Sequence, residues 1–134
     1  MKITISNTKS ELGEKAAITG ARIIREAIQT NGVANIIVAT GASQFEMLNE
    51  LIKQDVDWSR VTAFHLDEYI GIPETHPASF RKYLKERFTT KLSLREFHYV
   101  DGETDPDMKK YGVLIKKILR NMAEIIQIKK CFVM

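Results

Sequence analysis

Apolar residues recur along this chain in two alternating periods. Ile3 and Ile5 alternate with polar neighbours, which predicts a strand over residues 2–6. From Ser10 to Thr30 the period lengthens to that of a helix. Leu12, Ala16, Ala17, Ile23, Ile24, Ala27 and Ile28 outline its apolar face, with Ser10 as the expected N-cap and Gly32 as the stop. The short run Ala34-Asn35-Ile36-Ile37-Val38-Ala39 has the character of a buried parallel strand. A helix over 43–54 comes next, with Met47 and Leu48 at core-like positions, then a strand over 61–66 and a loop through Pro77. Residues 79–89 form a third amphipathic helix, with Phe80, Tyr83, Leu84 and Phe88 on one side. A strand over 97–100, a turn-rich loop over 101–106 and a last helix from near Asp107 complete the series.

The resulting order is β-α-β-α-β-α-β-α. Strands alternating with helices of this length place the chain in the α/β class, as a doubly wound, mostly parallel sheet with helices on both faces. Ligands of such sheets bind outside the carboxyl ends of the strands. That rule selects the loops that open at Thr40 and at Asp67.

Thr40-Gly41-Ala42-Ser43 joins a strand to a helix. Glycine permits a tight turn and a close approach of backbone to ligand, and the N–H groups at the helix start favour an anion. The Thr40 and Ser43 hydroxyls add donors, so a phosphate suits this loop. An ordinary strand–helix turn with Ser43 as N-cap fits the same four residues. The Lys of a P-loop is missing. The second loop, His65-Leu66-Asp67-Glu68-Tyr69-Ile70-Gly71-Ile72-Pro73, places two adjacent carboxylates at a strand's carboxyl end. A partly buried carboxylate there has a raised pKa and serves as a general base. The alternative is that Asp67 caps a turn and Glu68 is solvated.

Composition narrows the classes. The chain has 134 residues, 44% hydrophobic and 28% charged, enough for one globular domain. No apolar run reaches the roughly 18 to 20 residues that span a bilayer, and the amino terminus lacks the pattern of a secretory signal. Cys131 is the sole cysteine, which rules out an intramolecular disulfide and a zinc cluster, so no metal is expected and the cytoplasm is favoured. Residues 1–108 carry 13 Lys/Arg against 16 Asp/Glu, a net charge of −3, and residues 109–134 carry seven against one, a net of +6. The basic excess therefore sits in the tail, and neither nucleic acid nor membrane is expected as a partner. Asp101-Gly102-Glu103-Thr104-Asp105 has a calcium-loop look, but Pro106 stands where an EF-hand requires Gly. His98, inside a strand, is read as structural, and Trp58 as packing at a loop.

Thr40-Gly41-x-Ser43, then Asp67-Glu68-Tyr69-Ile70-Gly71-Ile72-Pro73, then His76-Pro77-Ala78-Ser79-Phe80, resembles the glucosamine-6-phosphate deaminase (isomerase) family, which is similar in fold to the 6-phosphogluconolactonases. The resemblance runs over residues 1–117, through Tyr83, Phe88 and Lys110-Tyr111-Gly112, and corresponds to the amino-terminal half of that family. It implies conversion of glucosamine 6-phosphate and water to fructose 6-phosphate and ammonia, without a cofactor. It further implies that Asp67 is the base that moves a proton between C2 and C1. By the same resemblance Thr40, Gly41, Ala42 and Ser43 hold the phosphate or neighbouring sugar oxygens, Glu68 and Tyr69 shape the site, and His76 fixes the loop after the carboxylates, unless it is simply a surface turn residue.

Members of the family continue into a Gly-rich loop whose His serves ring opening, and into segments whose Arg and Lys bind phosphate. Residues 118–134 show no counterpart and form a basic, non-matching tail, read as the product of a frameshift or premature stop, with an extended amphipathic helix as the alternative. The resemblance thus implies a partial fold with impaired turnover. A non-catalytic phosphosugar-binding module and a 6-phosphogluconolactonase-like hydrolase are the other readings. An uncovered sheet edge makes a homo-oligomer an open expectation.

Overall fold

The computed structural model of the chain describes residues 5–104 and the backbone of 126–127. Most of the strand expected over 2–6, the helix expected from Asp107, and residues 118–134 apart from 126–127 lie outside the described residues. Ile5 and Ser6 themselves are not strand, and Ile5 is exposed.

The first helix, α1, spans Lys9–Asn31. Its N-cap is Thr8 rather than Ser10. The Thr8 hydroxyl accepts the Glu11 N–H at 3.1 Å, and the Glu11 carboxylate reaches back to the Asn7 N–H at 2.9 Å. This is a capping box shifted by one residue, and Glu11, three positions after Thr8, is the sequence mark of it. Gly32 closes the helix at φ 77°, a left-handed conformation that glycine adopts without strain.

The buried stripe of α1 is Gly13, Ala17, Gly20, Ala21, Ile24 and Ala27. Small residues dominate because the helix lies close to α2, Phe45–Leu51. A Cβ on Gly13 would stand 2.6 Å from the Glu46 Cβ, inside van der Waals contact. The stripe turns Leu12, expected in the core, outward to 44% exposure. A 3-10 turn over Ala42–Gln44 leads into α2, which is shorter than expected, and Ser43 lies inside that turn rather than at its cap.

β1 (Ala34–Val38), β2 (Val61–His65), β3 (Glu96–His98) and β4 (Ile126–Gln127) form one parallel sheet in the order β3-β2-β1-β4. β3 starts and stops earlier than expected, so Tyr99 and Val100 leave the ladder. From β1 the chain steps outward to β2 and β3, then returns to place β4 on the other side of β1. The sheet is therefore doubly wound, as the periodicity predicts, within a partial fold. α3 spans Phe80–Arg87, with the Ser79 hydroxyl accepting the Lys82 N–H.

Ala34, Ile36, Val38, Val61 and Ala63 mark one face of the sheet and join a core with Ala17, Ile24, Met47, Leu48, Leu51, Leu84 and Phe88. Trp58 belongs to this core, edge-on to Phe88 at 6.0 Å. Phe64, on the alternate face, stacks on His98 at 4.8 Å, which gives that histidine a packing role.

Candidate active site

The winding of the sheet reverses between β1 and β4, and open α/β sheets bind ligands at that switch point. The loop leaving the carboxyl end of β1 starts there. The loop leaving β2 lies beside it, because the Leu66 N–H donates to the Val38 carbonyl at 3.0 Å. This bond carries the β1–β2 pairing one residue past β2. Asp67, the next residue, thus begins its loop at the carboxyl end of the strand that pairs with β1.

In the first loop, Thr40 is buried at 3% exposure, and its hydroxyl has no hydrogen-bond partner among the described residues. Gly41, Ala42 and Ser43 are exposed. Gly41 has φ −62° and ψ 151°, an extended conformation open to any residue, and an added Cβ would meet only the Ser43 hydroxyl at 3.8 Å. The backbone does not need glycine there for conformational reasons, contrary to the expectation of a tight turn. A cleft of about 280 Å³ opens on one side of the loop between α1 and α2, lined by Ala42 and Ser43 with Lys9, Leu12, Glu46 and Met47. Asp67 does not line it. The two loops are joined through the Val38–Leu66 bond instead.

The adjacent carboxylates have opposite environments. Asp67 is exposed. The Glu68 side chain has 0% exposure and sits at the start of α3. Its oxygens accept the N–H groups of Arg81 at 2.8 Å, Phe80 at 3.0 Å and Tyr69 at 3.0 Å, and the Ser79 hydroxyl at 3.0 Å. Burial pushes the Glu68 pKa up, but these four donors outweigh burial and hold it below the usual carboxylate range. The sequence expectation is inverted here. The carboxylate that caps a turn is Glu68, it is not solvated, and the burial expected to raise the pKa of the catalytic candidate falls on its neighbour.

Arg81, which sequence reasoning missed, fills the space behind Glu68 at 6% exposure. Its guanidinium lies 3.5 Å from Glu68, 3.5 Å from Asp101 and 3.1 Å from Glu103, and donates to the Ile72 carbonyl at 3.4 Å. The Glu68 contact is an ion pair without hydrogen-bond geometry, since Arg81 Nε has no hydrogen-bond acceptor. A sequence signal existed. Arg81 lies three residues before Leu84 and seven before Phe88, on the inward face of α3.

The turn at 101–104 supports the same loop. The Gly71 N–H donates to the Gly102 carbonyl at 3.0 Å, and a Cβ on Gly102 would collide with the Tyr69 carbonyl oxygen. Asp101 accepts the N–H groups of Glu103 and Thr104 and the Thr104 hydroxyl, and its pKa falls to about 2, chiefly through the Thr104 hydroxyl and those N–H groups. Tyr69 is 53% exposed and leans on Phe80 with ring centroids 5.0 Å apart. His76 is exposed, and its Nδ1 accepts the Ala78 N–H at 3.1 Å within its own turn. His65 is fully buried beneath the loop, edge-on to Phe80 and Tyr99, and burial brings its pKa down to about 4. No helix among the described residues is long and apolar enough to cross a membrane.

The sequence profile of glucosamine-6-phosphate isomerases/6-phosphogluconolactonase matches residues 7–130, a stretch that includes β4 and most of the segment 118–134. Among curated proteins, a glucosamine-6-phosphate deaminase of Lactobacillus delbrueckii subsp. bulgaricus is 30% identical over 104 residues, covering 78% of this chain and 42% of the relative. One of Oenococcus oeni is 28% identical over 120 residues, covering 87% and 49%. The chain thus spans about half the length of the curated relatives it matches. Among solved structures, a monomeric glucosamine-6-phosphate deaminase superposes with a TM-score of 0.73 at 24% identity, covering 88% of this chain and 51% of that one. A 6-phosphogluconolactonase of Thermotoga maritima superposes at 0.71 and 16% identity, covering 90% and 54%. These neighbours share the fold, and the profile match over most of the chain shows that it belongs to the glucosamine-6-phosphate isomerase/6-phosphogluconolactonase family.

Proposed function

We propose that the chain forms the amino-terminal part of a sugar-phosphate site that converts glucosamine 6-phosphate and water to fructose 6-phosphate and ammonia. The observation that supports this reading is the parallel pairing of β1 and β2, carried on by the Leu66–Val38 bond, so that an exposed carboxylate and a hydroxyl-bearing loop both follow the carboxyl ends of adjacent strands. Asp67 takes the C2 proton and returns it at C1. The backbone of Gly41, Ala42 and Ser43, with the Thr40 and Ser43 hydroxyls, receives the phosphate or the sugar oxygens next to it. Glu68, Tyr69 and His76 shape and fix the loop rather than react. A base held at the C1–C2 edge and an anchor for the remote phosphate are what the isomerisation needs, because binding energy at the phosphate positions the reacting carbons.

The test is ammonia release from glucosamine 6-phosphate, measured together with calorimetric binding. Removing a general base costs on the order of 10²- to 10⁴-fold in rate, so Asp67→Asn should abolish turnover and leave affinity close to that of the unaltered chain. A chain that neither binds the sugar phosphate nor releases ammonia overturns the reading. Saturable binding with little or no turnover would mean that the loops hold a phosphosugar without completing the chemistry.

A further inference from the structure

We propose that Arg81 is a positioning residue for Asp67, acting through Glu68, a role that rests on the reading of Asp67 as the base. Asp67 has an anchored neighbour on each side. Before it, the Leu66 N–H is bonded to the Val38 carbonyl. After it, Glu68 is held by four donors at the start of α3. Arg81 closes this arrangement from behind, because one guanidinium touches both ends of the loop, Glu68 and the Ile72 carbonyl. It also pins the loop to the turn at 101–104 through Asp101 and Glu103.

A buried ion pair gives little net stability compared with apolar packing, so stability alone does not account for a guanidinium at 6% exposure. Geometry does. The flat fork presents donors in several directions at once, whereas a lysine ammonium is a point charge. The surroundings agree with a loop built for rigidity. Glycine is the residue type that fits at 102 under the Tyr69 carbonyl, and Gly71, at a left-handed φ of 80°, donates its N–H to the Gly102 carbonyl. The hydrogen bonds and ion pairs of the guanidinium to Glu68, Ile72, Asp101 and Glu103 all go to the Asp67 loop or to the turn packed on it.

The experiment compares amide hydrogen exchange, glucosamine 6-phosphate affinity and ammonia release in the full chain and in Arg81→Met, Arg81→Lys and Glu103→Gln. The last removes one partly exposed arm of the clamp and so keeps the core intact should Arg81→Met fail to fold. Expected in Arg81→Met is faster exchange at Tyr69, Gly71 and Arg81, unchanged exchange in the β1–β2 ladder, affinity close to that of the unaltered chain, and ammonia release slower by about tenfold to a hundredfold, the scale of a misplaced catalytic group. Arg81→Lys should restore part of the loss, and Glu103→Gln should show a smaller loss at the same amides. Exchange that rises equally in the ladder, or stays unchanged at the three loop amides, overturns the proposal. If the local pattern appears but the unaltered chain binds no sugar phosphate, the clamp stands as loop anchoring while the reading of the site, and with it a role for Arg81 toward a base, falls.

Discussion

The loop after β2 and the loop after β1 begin at the same end of the same sheet, yet they are built in opposite ways. The first, though Asp67 and Tyr69 to Gly71 face solvent, is braced from within by a buried carboxylate on a helix start, a buried arginine and a close-packed turn. The second has three exposed residues in sequence and the two backbone bonds of a 3-10 turn, from the Gln44 N–H to the Gly41 carbonyl at 2.8 Å and from the Phe45 N–H to the Ala42 carbonyl, with no side-chain cap. A general base must be held within a fraction of an ångström of its proton, whereas a phosphate is recognised through several equivalent oxygens. The difference between the loops matches that division of labour.

The most damaging way to test the braced side is Glu68→Ala. It strips three backbone N–H groups and the Ser79 hydroxyl of their acceptor and removes the carboxylate nearest the Arg81 Nε. Leaving such groups buried without partners costs about 3 kcal/mol or more. Denaturant unfolding should register that loss. Ser43→Ala, in the open loop, should change stability by less than about 0.5 kcal/mol. Equal losses at the two sites would erase the comparison.

Acid provides a second contrast, because Thr40-Gly41-Ala42-Ser43 contains no titratable side chain, while the braced loop lies over His65. An unfolded imidazole takes up its proton near pH 6.5. The folded one, buried, resists until about pH 4. Between those values the unfolded chain binds more protons, so stability falls as pH falls, by about 3 kcal/mol once pH 4 is reached. The lowered pKa values of Glu68 and Asp101 add a further loss in acid, since each contribution is present above the unfolded carboxylate pKa and is lost as pH falls through the folded one, which for Asp101 is about 2. Unfolding midpoints across pH 4–7 check the histidine part, and His65→Asn should flatten that window.

Gly102→Ala should have a smaller and more local effect. The new methyl would collide with the Tyr69 carbonyl oxygen, so the turn and the loop must separate. Overpacking of this kind costs about 1–3 kcal/mol. Loss of exchange protection at Gly71, with the β1–β2 ladder unchanged, is the expected signature.

Much of this was legible in the sequence. Periodicity gave the order of elements from α1 to β3 because the strands are short apolar runs and α3 has a clear inward face. Three features escaped it. The glycines in the packing stripe of α1 escaped because Gly13 and Gly20 carry no hydrophobicity, although Gly13 permits the close approach of α2, whereas Ala17, Ile24 and Ala27 lie on the face the pattern predicts. The reversal of roles at Asp67 and Glu68 escaped because it depends on which carboxylate meets the N–H groups of Phe80 and Arg81, a contact twelve or more residues away in sequence. Arg81 escaped because a charged residue on an apolar face reads as an interruption until its partners at Asp101 and Glu103 are known.

Asp67→Asn is expected to have the smallest structural effect and is for that reason the sharpest probe. The side chain is exposed, and the residues on both sides of it are held by contacts that the substitution leaves alone. Stability should change by no more than about 0.5 kcal/mol. Exchange at Tyr69 and Gly71 should match the unaltered chain, while any ammonia release disappears. A variant that unfolds easily would mean that Asp67 helps hold the loop. One that folds normally, binds glucosamine 6-phosphate and turns it over at the full rate would take the base away from Asp67 and leave the braced loop without a reaction to serve.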